Sequence, residues 1–191
     1  MKLVLATTNK NKLREIKSVL GNKFDDVMTF KDLNLDIEIE ETGTTFIENA
    51  MLKASEICKI TGLPALADDS GLSVDVLNGA PGVYSARYAG LEHNDENNNE
   101  KLLEVLKNES NRAAHFTSAV VLCFPDGSSL SAEAYAEGEI LRETRGANGF
   151  GYDPLFFSHE LGKTFAEATA EEKNAISHRA RAIQKLVAQL N

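Results

Sequence analysis

Apolar and polar positions change rhythm repeatedly along the 191 residues of the chain, and each change marks an element. Lys2-Leu3-Val4-Leu5-Ala6 breaks into polar Thr7-Thr8-Asn9-Lys10-Asn11, which predicts a first strand followed by a loop. Leu13, Ile16, Val19 and Leu20 then recur at helical spacing until Gly21-Asn22 stops them. Alternating Leu33, Leu35, Ile37 and Ile39 predict strand and loop over 27–39. Thr45-Phe46-Ile47-Glu48 has the form of a capping box, and Ile47, Ala50, Met51, Ala54, Ile57 and Cys58 share one face of the helix it opens. Gly62 and Pro64 end that helix. Ala65, Leu66 and Ala67 read as the close of a buried segment. Leu72, Val74 and Val76 alternate with Ser73 and Asp75 as in a half-buried strand, leaving Asp68-Asp69-Ser70-Gly71 between the two.

Asn94 to Lys107 predicts a second amphipathic helix, with Leu102, Leu103 and Leu106 inward. Phe116 to Phe124 and Ser129 to Ile140 flank Pro125-Asp126-Gly127 as an antiparallel hairpin, with Gly138 a candidate bulge. A glycine-rich loop over 142–153 leads to Leu155-Phe156-Phe157. A final helix follows, capped near Ser177 and striped by Ile183, Leu186, Val187 and Leu190. Helices alternate with strands early and the hairpin comes late, which is the order of an α/β domain with a mixed sheet.

Composition refines this outline. Hydrophobic residues at 42% and charged residues at 26% are those of a soluble globular protein, and the length suits a single domain over 1–191 or two closely packed lobes. No run of about 18 apolar residues is present, so no membrane association is expected. The first apolar run is too short for a signal peptide, and a cytoplasmic protein is expected. Cys58 and Cys123 lie far apart without a Cys-x-x-Cys or a local His cluster, which points to buried free thiols. A net charge of −9 disfavours a nucleic-acid polymer as partner, although local cations can still hold a small anion.

The candidate chemistry lies at element ends. Asp68 and Asp69 repel each other unless a cation sits with them; a Mg²⁺ site and a solvated turn before Gly71 both account for the pair. Thr7, Thr8, Asn9, Lys10, Asn11 and Lys12 precede or open a helix whose free N–H groups favour an anion. Capping does not explain why Lys10 and Lys12 crowd a positive helix end. Glu40-Glu41-Thr42-Gly43 lies just before the capped helix, where one acid is ordinary electrostatics and two leave room for a metal contact. Asn49 and Lys53 share a helix face that points either at a ligand or at solvent. Lys173, Ser177, His178 and Arg179 gather side chains suited to phosphate and a base edge, although a His near a helix start can equally be a cap or a surface residue. In Phe150-Gly151-Tyr152-Asp153-Pro154 an aromatic ring beside glycines can stack on a base, with Asp153 as acceptor, or can simply anchor the loop. The first loop lacks P-loop spacing, and Gly146-Ala147-Asn148-Gly149-Phe150-Gly151 is not a dinucleotide fingerprint.

Six blocks in order carry a resemblance that spans the chain. They are Thr7-x-Asn9-x-x-Lys12, Glu41-Thr42-Gly43-x-Thr45-Phe46-x-Glu48-Asn49-Ala50, Ala67-Asp68-Asp69-Ser70-Gly71-Leu72, Gly79-x-Pro81-Gly82-Val83-Tyr84-Ser85-Ala86-Arg87-Tyr88, Gly149-Phe150-Gly151-Tyr152-Asp153-Pro154 and Ser177-His178-Arg179. Together they resemble the inosine/xanthosine triphosphate pyrophosphatase family. The resemblance implies an ITPase-like (Maf/Ham1) fold, an elongated mixed sheet dividing two lobes with the substrate in the cleft, and a Mg²⁺-dependent homodimer. It further implies hydrolysis of ITP, dITP and XTP to the monophosphate and pyrophosphate, which clears deaminated purines from the nucleotide pool. Carried over by position, Thr7 to Lys12, Ser70, Phe150 to Asp153, Lys173, His178 and Arg179 bind the nucleotide, with Lys53 among the cations that neutralise phosphate. Asp69 matches the catalytic base and a metal ligand, and Glu41 a second metal-associated acid; Asp68 is either a third ligand or a support. One oxygen cannot both hold metal and accept a proton, so these roles divide either between Asp68 and Asp69 or between two oxygens. Asn11 stands where many members have glycine, which raises the expectation of a left-handed residue there. The rival readings are an enzyme for modified pyrimidine triphosphates and a non-catalytic nucleotide sensor.

Overall fold

Strand-forming runs interleaved with capped helices build a seven-stranded mixed sheet in this computed structural model, which describes residues 1–90 and 93–190. The strands are β1 (Lys2–Leu5), β2 (Asp26–Met28), β3 (Ala65–Val74), β4 (Ala113–Cys123), β5 (Ser129–Ile140), β6 (Phe156–Ser158) and β7 (Lys163–Thr164), in the sheet order β2-β1-β3-β4-β5-β6-β7. β1 pairs parallel with both β2 and β3, while β6 pairs antiparallel with β5 and β7. The five residues between β4 and β5 permit only an antiparallel hairpin, closed by Gly127 N–H donating to Phe124 O. The helices are α1 (Lys10–Leu20), α2 (Phe46–Thr61), α3 (Asp95–Val105), α4 (Ala170–Ile176) and α5 (His178–Val187). No helix among the described residues is long and apolar enough to cross a membrane.

The chain divides into two compact units. Unit 1 comprises Met1–Ser70, Ser118–Ala134 and His178–Asn191, and unit 2 comprises Gly71–Thr117 and Tyr135–Ser177. In unit 1 both sheet faces are covered. Leu3, Leu5 and Leu66 pack with Ile16, Leu20, Ile183 and Leu186 of α1 and α5, whereas Val4, Ala65 and Ala67 pack with Ala50, Ala54 and Ile57 of α2. Cys58 and Cys123 are buried free thiols in the second of these layers. Unit 2 centres on Phe116, Phe156 and Phe165, with Leu102 of α3 and Leu106 at its C-terminal cap against them.

Four sequence expectations change. The acidic pair is not at a turn: β3 runs unbroken through Asp68 and Asp69, buried on both faces instead of half-buried because α1 and α5 cover one side of it and α2 the other. Over 27–39 only the end of β2 is strand, and Leu33, Leu35, Ile37 and Ile39 pack on the core as irregular chain. Gly138 forms no bulge against β6, since it keeps regular register opposite Ser158 there. The C-terminal helix is preceded by α4, whose Thr169 and Glu172 form a capping box of the same kind as Thr45 and Glu48.

Candidate active site

Consecutive residues of a strand point to opposite faces, so β3 sends its two carboxylates apart. Asp68 lies on the α1 and α5 side, 0% exposed. Its Oδ2 meets Lys12 Nζ at 2.8 Å and Arg179 Nε at 3.3 Å, and its Oδ1 accepts from Ser118 Oγ at 2.5 Å. Ser70 Oγ accepts from Arg179 Nη2 at 2.7 Å, and Glu15 of α1 pairs with the same guanidinium through Nη1. Burial pushes the Asp68 carboxyl up, but Arg179 and Lys12 outweigh it and hold the group far below the usual carboxylate range.

Asp69 faces α2. Lys53 Nζ lies 3.2 Å from Asp69 Oδ1 and 2.6 Å from Glu41 Oε1, and it also donates to Asp68 O at 3.0 Å. Burial dominates at Asp69 and, helped by Glu41 and Asp68 charge, raises its pKa despite Lys53 and Lys12. Its Oδ2 is buried without a hydrogen-bond partner among the described residues. Asn49 Oδ1 accepts from Gly43 N, so this polar position on α2 anchors the loop that delivers Glu41.

The Thr7–Lys12 segment folds as a capped helix start. Thr7 Oγ1 accepts from Asn9 N, Asn9 Oδ1 accepts from the N–H groups of Asn11 and Lys12, and Thr8 and Lys10 are exposed. Asn11 lies in the first turn of α1 and is not among the described positive-φ residues, so no left-handed conformation is needed there.

Unit 2 assembles the Phe150–Asp153 loop. Asp153 Oδ2 pairs with buried Lys173 Nζ at 2.6 Å and accepts from Phe150 N at 2.9 Å, and the ammonium lies 5.0 Å from the Phe150 ring centroid. A Cβ on Gly149 would lie 2.0 Å from Asp153 Oδ2, so this glycine makes the carboxylate's position available. Tyr152 Oη donates to Ser85 O at 2.7 Å, which places the otherwise unassigned Tyr84-Ser85-Ala86 block beneath the loop. The sequence grouped Lys173 with His178 and Arg179. In the structure Lys173 belongs to unit 2, whereas buried His178 and Arg179 open α5 in unit 1.

Side chains outside the sequence-derived set also matter. Glu15 and Ser118 support the Asp68 cluster, and Asp95 and Asn99 hold Gly151. No motif marks them, because each acts through a contact with a distant segment. Among the described residues no trio of His, Cys, Asp or Glu forms a metal cage. The donor set that is present, Glu41 with the unpartnered Asp69 Oδ2, suits Mg²⁺, which takes one or two carboxylates and completes its shell with water and phosphate oxygens.

Residues 3–189 match the profile of the Ham1 family. A dITP/XTP pyrophosphatase of Clostridium perfringens is 49% identical, covering 97% of this chain and 95% of its own. One of Escherichia coli O157:H7 is 50% identical, covering 97% and 96%. Among solved structures, the Staphylococcus aureus Ham1 protein has a TM-score of 0.89 at 42% identity, covering 100% of this chain and 98% of its own. A HAM1 protein from Coxiella burnetii has a TM-score of 0.90 at 44% identity with the same coverage.

Proposed function

The chain belongs to the Ham1 family, and from that premise we propose that it hydrolyses ITP, dITP and XTP to the monophosphate and pyrophosphate, clearing deaminated purines from the nucleotide pool. The observation that carries the reading is the split of the acidic pair. Asp69, with a raised pKa and an unpartnered oxygen, suits a proton acceptor for water attacking between the α and β phosphates. Asp68 has both oxygens engaged and acts as the anchor of Lys12 and Arg179, not as a metal ligand. Between the two divisions of labour open at the sequence level, this favours the one between the oxygens of Asp69. Lys12, Lys53 and Arg179 offset triphosphate charge, while Thr7, Thr8, Asn9, Lys10, Asn11 and Ser70 give the phosphates polar contacts around the α1 start and the middle of β3.

Glu41 and Asp69 would hold Mg²⁺, which when bound would neutralise phosphate charge and make phosphorus more electrophilic. Phe150, Tyr152, Asp153 and Lys173 take the base, with Gly151 shaping the loop that presents them, and His178 is a further nucleotide-binding residue. Hypoxanthine and xanthine present a 6-keto acceptor and an N1–H donor, the reverse of adenine, and an ammonium such as Lys173 favours the keto group. An unpaired buried donor rejects the wrong base by roughly 10⁴-fold. We further propose a homodimer working in the cytoplasm, in keeping with the resemblance and with a chain that lacks a long apolar run.

Pyrophosphate release from ITP, dITP, XTP, ATP and GTP, with and without Mg²⁺, tests the reading. The expected result is Mg²⁺-dependent release from the first three and little from ATP or GTP. Equal turnover of ATP contradicts the specificity, and preference for a modified pyrimidine triphosphate selects the rival enzyme class.

A further inference from the structure

We propose that α3 is the positioning element of the base-binding loop, with Asp95 and Asn99 holding the Gly151 peptide at both ends. Asp95 Oδ2 accepts from Gly151 N at 2.7 Å, and Asn99 Nδ2 donates to Gly151 O at 3.0 Å. The two side chains are four residues apart and therefore share a helix face. An acid in the first turn of a helix is ordinary electrostatics. That accounts for a carboxylate at this position, but not for its bond to an amide 56 residues away, nor for the matching donor one turn later.

Gly151 has φ +62, a left-handed conformation in which both its polar groups are reachable from α3. With its N–H and C=O engaged, this peptide offers neither to a ligand, so it fixes the loop and leaves recognition to its neighbours. Phe150 is held on one side by the Asp153–Lys173 pair and Tyr152 on the other by Ser85, so the three successive residues are pinned by three different segments. Asn99 is 8% exposed, and its Oδ1 has no hydrogen-bond partner among the described residues. A buried amide satisfied only at its donor end is a poor choice for stability alone, which fits a side chain retained for what it does to Gly151. The proposal rests on the assignment of Phe150–Asp153 to the base.

The test compares Asp95→Leu, Asn99→Leu, Asn99→Asp and Asp95→Asn with the wild type. The first three remove a bond to Gly151, whereas Asp95→Asn keeps an acceptor oxygen. Loss of such a bond is expected to raise KM for ITP about tenfold with kcat nearly unchanged, and Asp95→Asn to stay close to wild type. Inhibition by inorganic tripolyphosphate, which has no base, should be unaltered in all four. Amide exchange over 149–153 should accelerate in the three bond-breaking variants and not in Asp95→Asn. Should the leucine variants fail to fold, Asn99→Asp against Asp95→Asn gives the same contrast. Unchanged KM and exchange overturn the proposal, as does a KM rise matched by weaker tripolyphosphate inhibition. Wild-type protein that leaves ITP intact contradicts the base assignment instead, and the exchange measurement still decides the clamp.

Discussion

Asp68 and Asp69 are chemically identical neighbours, and the two faces of β3 give them opposite surroundings. The Asp68 face is saturated: two cations and a hydroxyl surround a carboxylate that burial alone would make neutral, and they keep it ionised. On the Asp69 face one ammonium is shared with Glu41, one oxygen lacks a hydrogen-bond partner among the described residues and the carboxyl is pushed up. Environments that drive the pKa values of two acids apart assign them different work. A saturated carboxylate holds structure in place, and an under-partnered one is free to react.

The comparison breaks most visibly in stability. Asp68→Asn leaves Lys12 and Arg179 short of their buried counter-charge and should cost about 3–5 kcal/mol, roughly 10 °C in melting temperature. The pH dependence of that deficit sharpens the point. Because the folded-state pKa of Asp68 lies below its unfolded value, its contribution is complete above the unfolded value of about 3.9 and is lost as pH falls further. Chemical denaturation of wild type and Asp68→Asn should therefore give a constant gap from neutrality down to about pH 4, narrowing below it. Ser118→Ala removes a bond to a buried carboxylate and should lower stability by about 2 kcal/mol.

Asp69→Asn should act in the other direction. A raised folded-state pKa favours folding below the unfolded value and loses that advantage as pH rises through the folded value. At neutral pH the Asp69 charge therefore works against the fold. In metal-free buffer at pH 7.5 the variant should unfold at slightly higher denaturant, by about 1 kcal/mol. A marked loss of stability would place Asp69 in the same structural role as Asp68.

Much of this was legible in the sequence. The α2 capping box, the α3 leucines and the hairpin around Gly127 follow from local rules, and the six ordered blocks contain most of the candidate site residues, with Lys53 and Lys173 outside them. Asp68-Asp69-Ser70-Gly71 reads as a turn because those residue types favour turns in isolation. Only the position of β3 between β1 and β4 overrides that preference, and only strand alternation shows that each carboxylate finds its own cation. Glu15 and Ser118 reach Asp68 and its partners from α1 and β4, so no local spacing reveals them. The Thr169 capping box, by contrast, was in plain view and would have predicted α4.

The most direct test is pyrophosphate release from dITP by Asp69→Asn in saturating Mg²⁺, using protein whose melting temperature is at least that of the wild type. The account predicts a fall of roughly 10²- to 10⁴-fold in kcat, because the group that accepts the proton is gone while the fold and the Asp68 cluster remain. A folded Asp69→Asn protein that turns over dITP at the wild-type rate would contradict it.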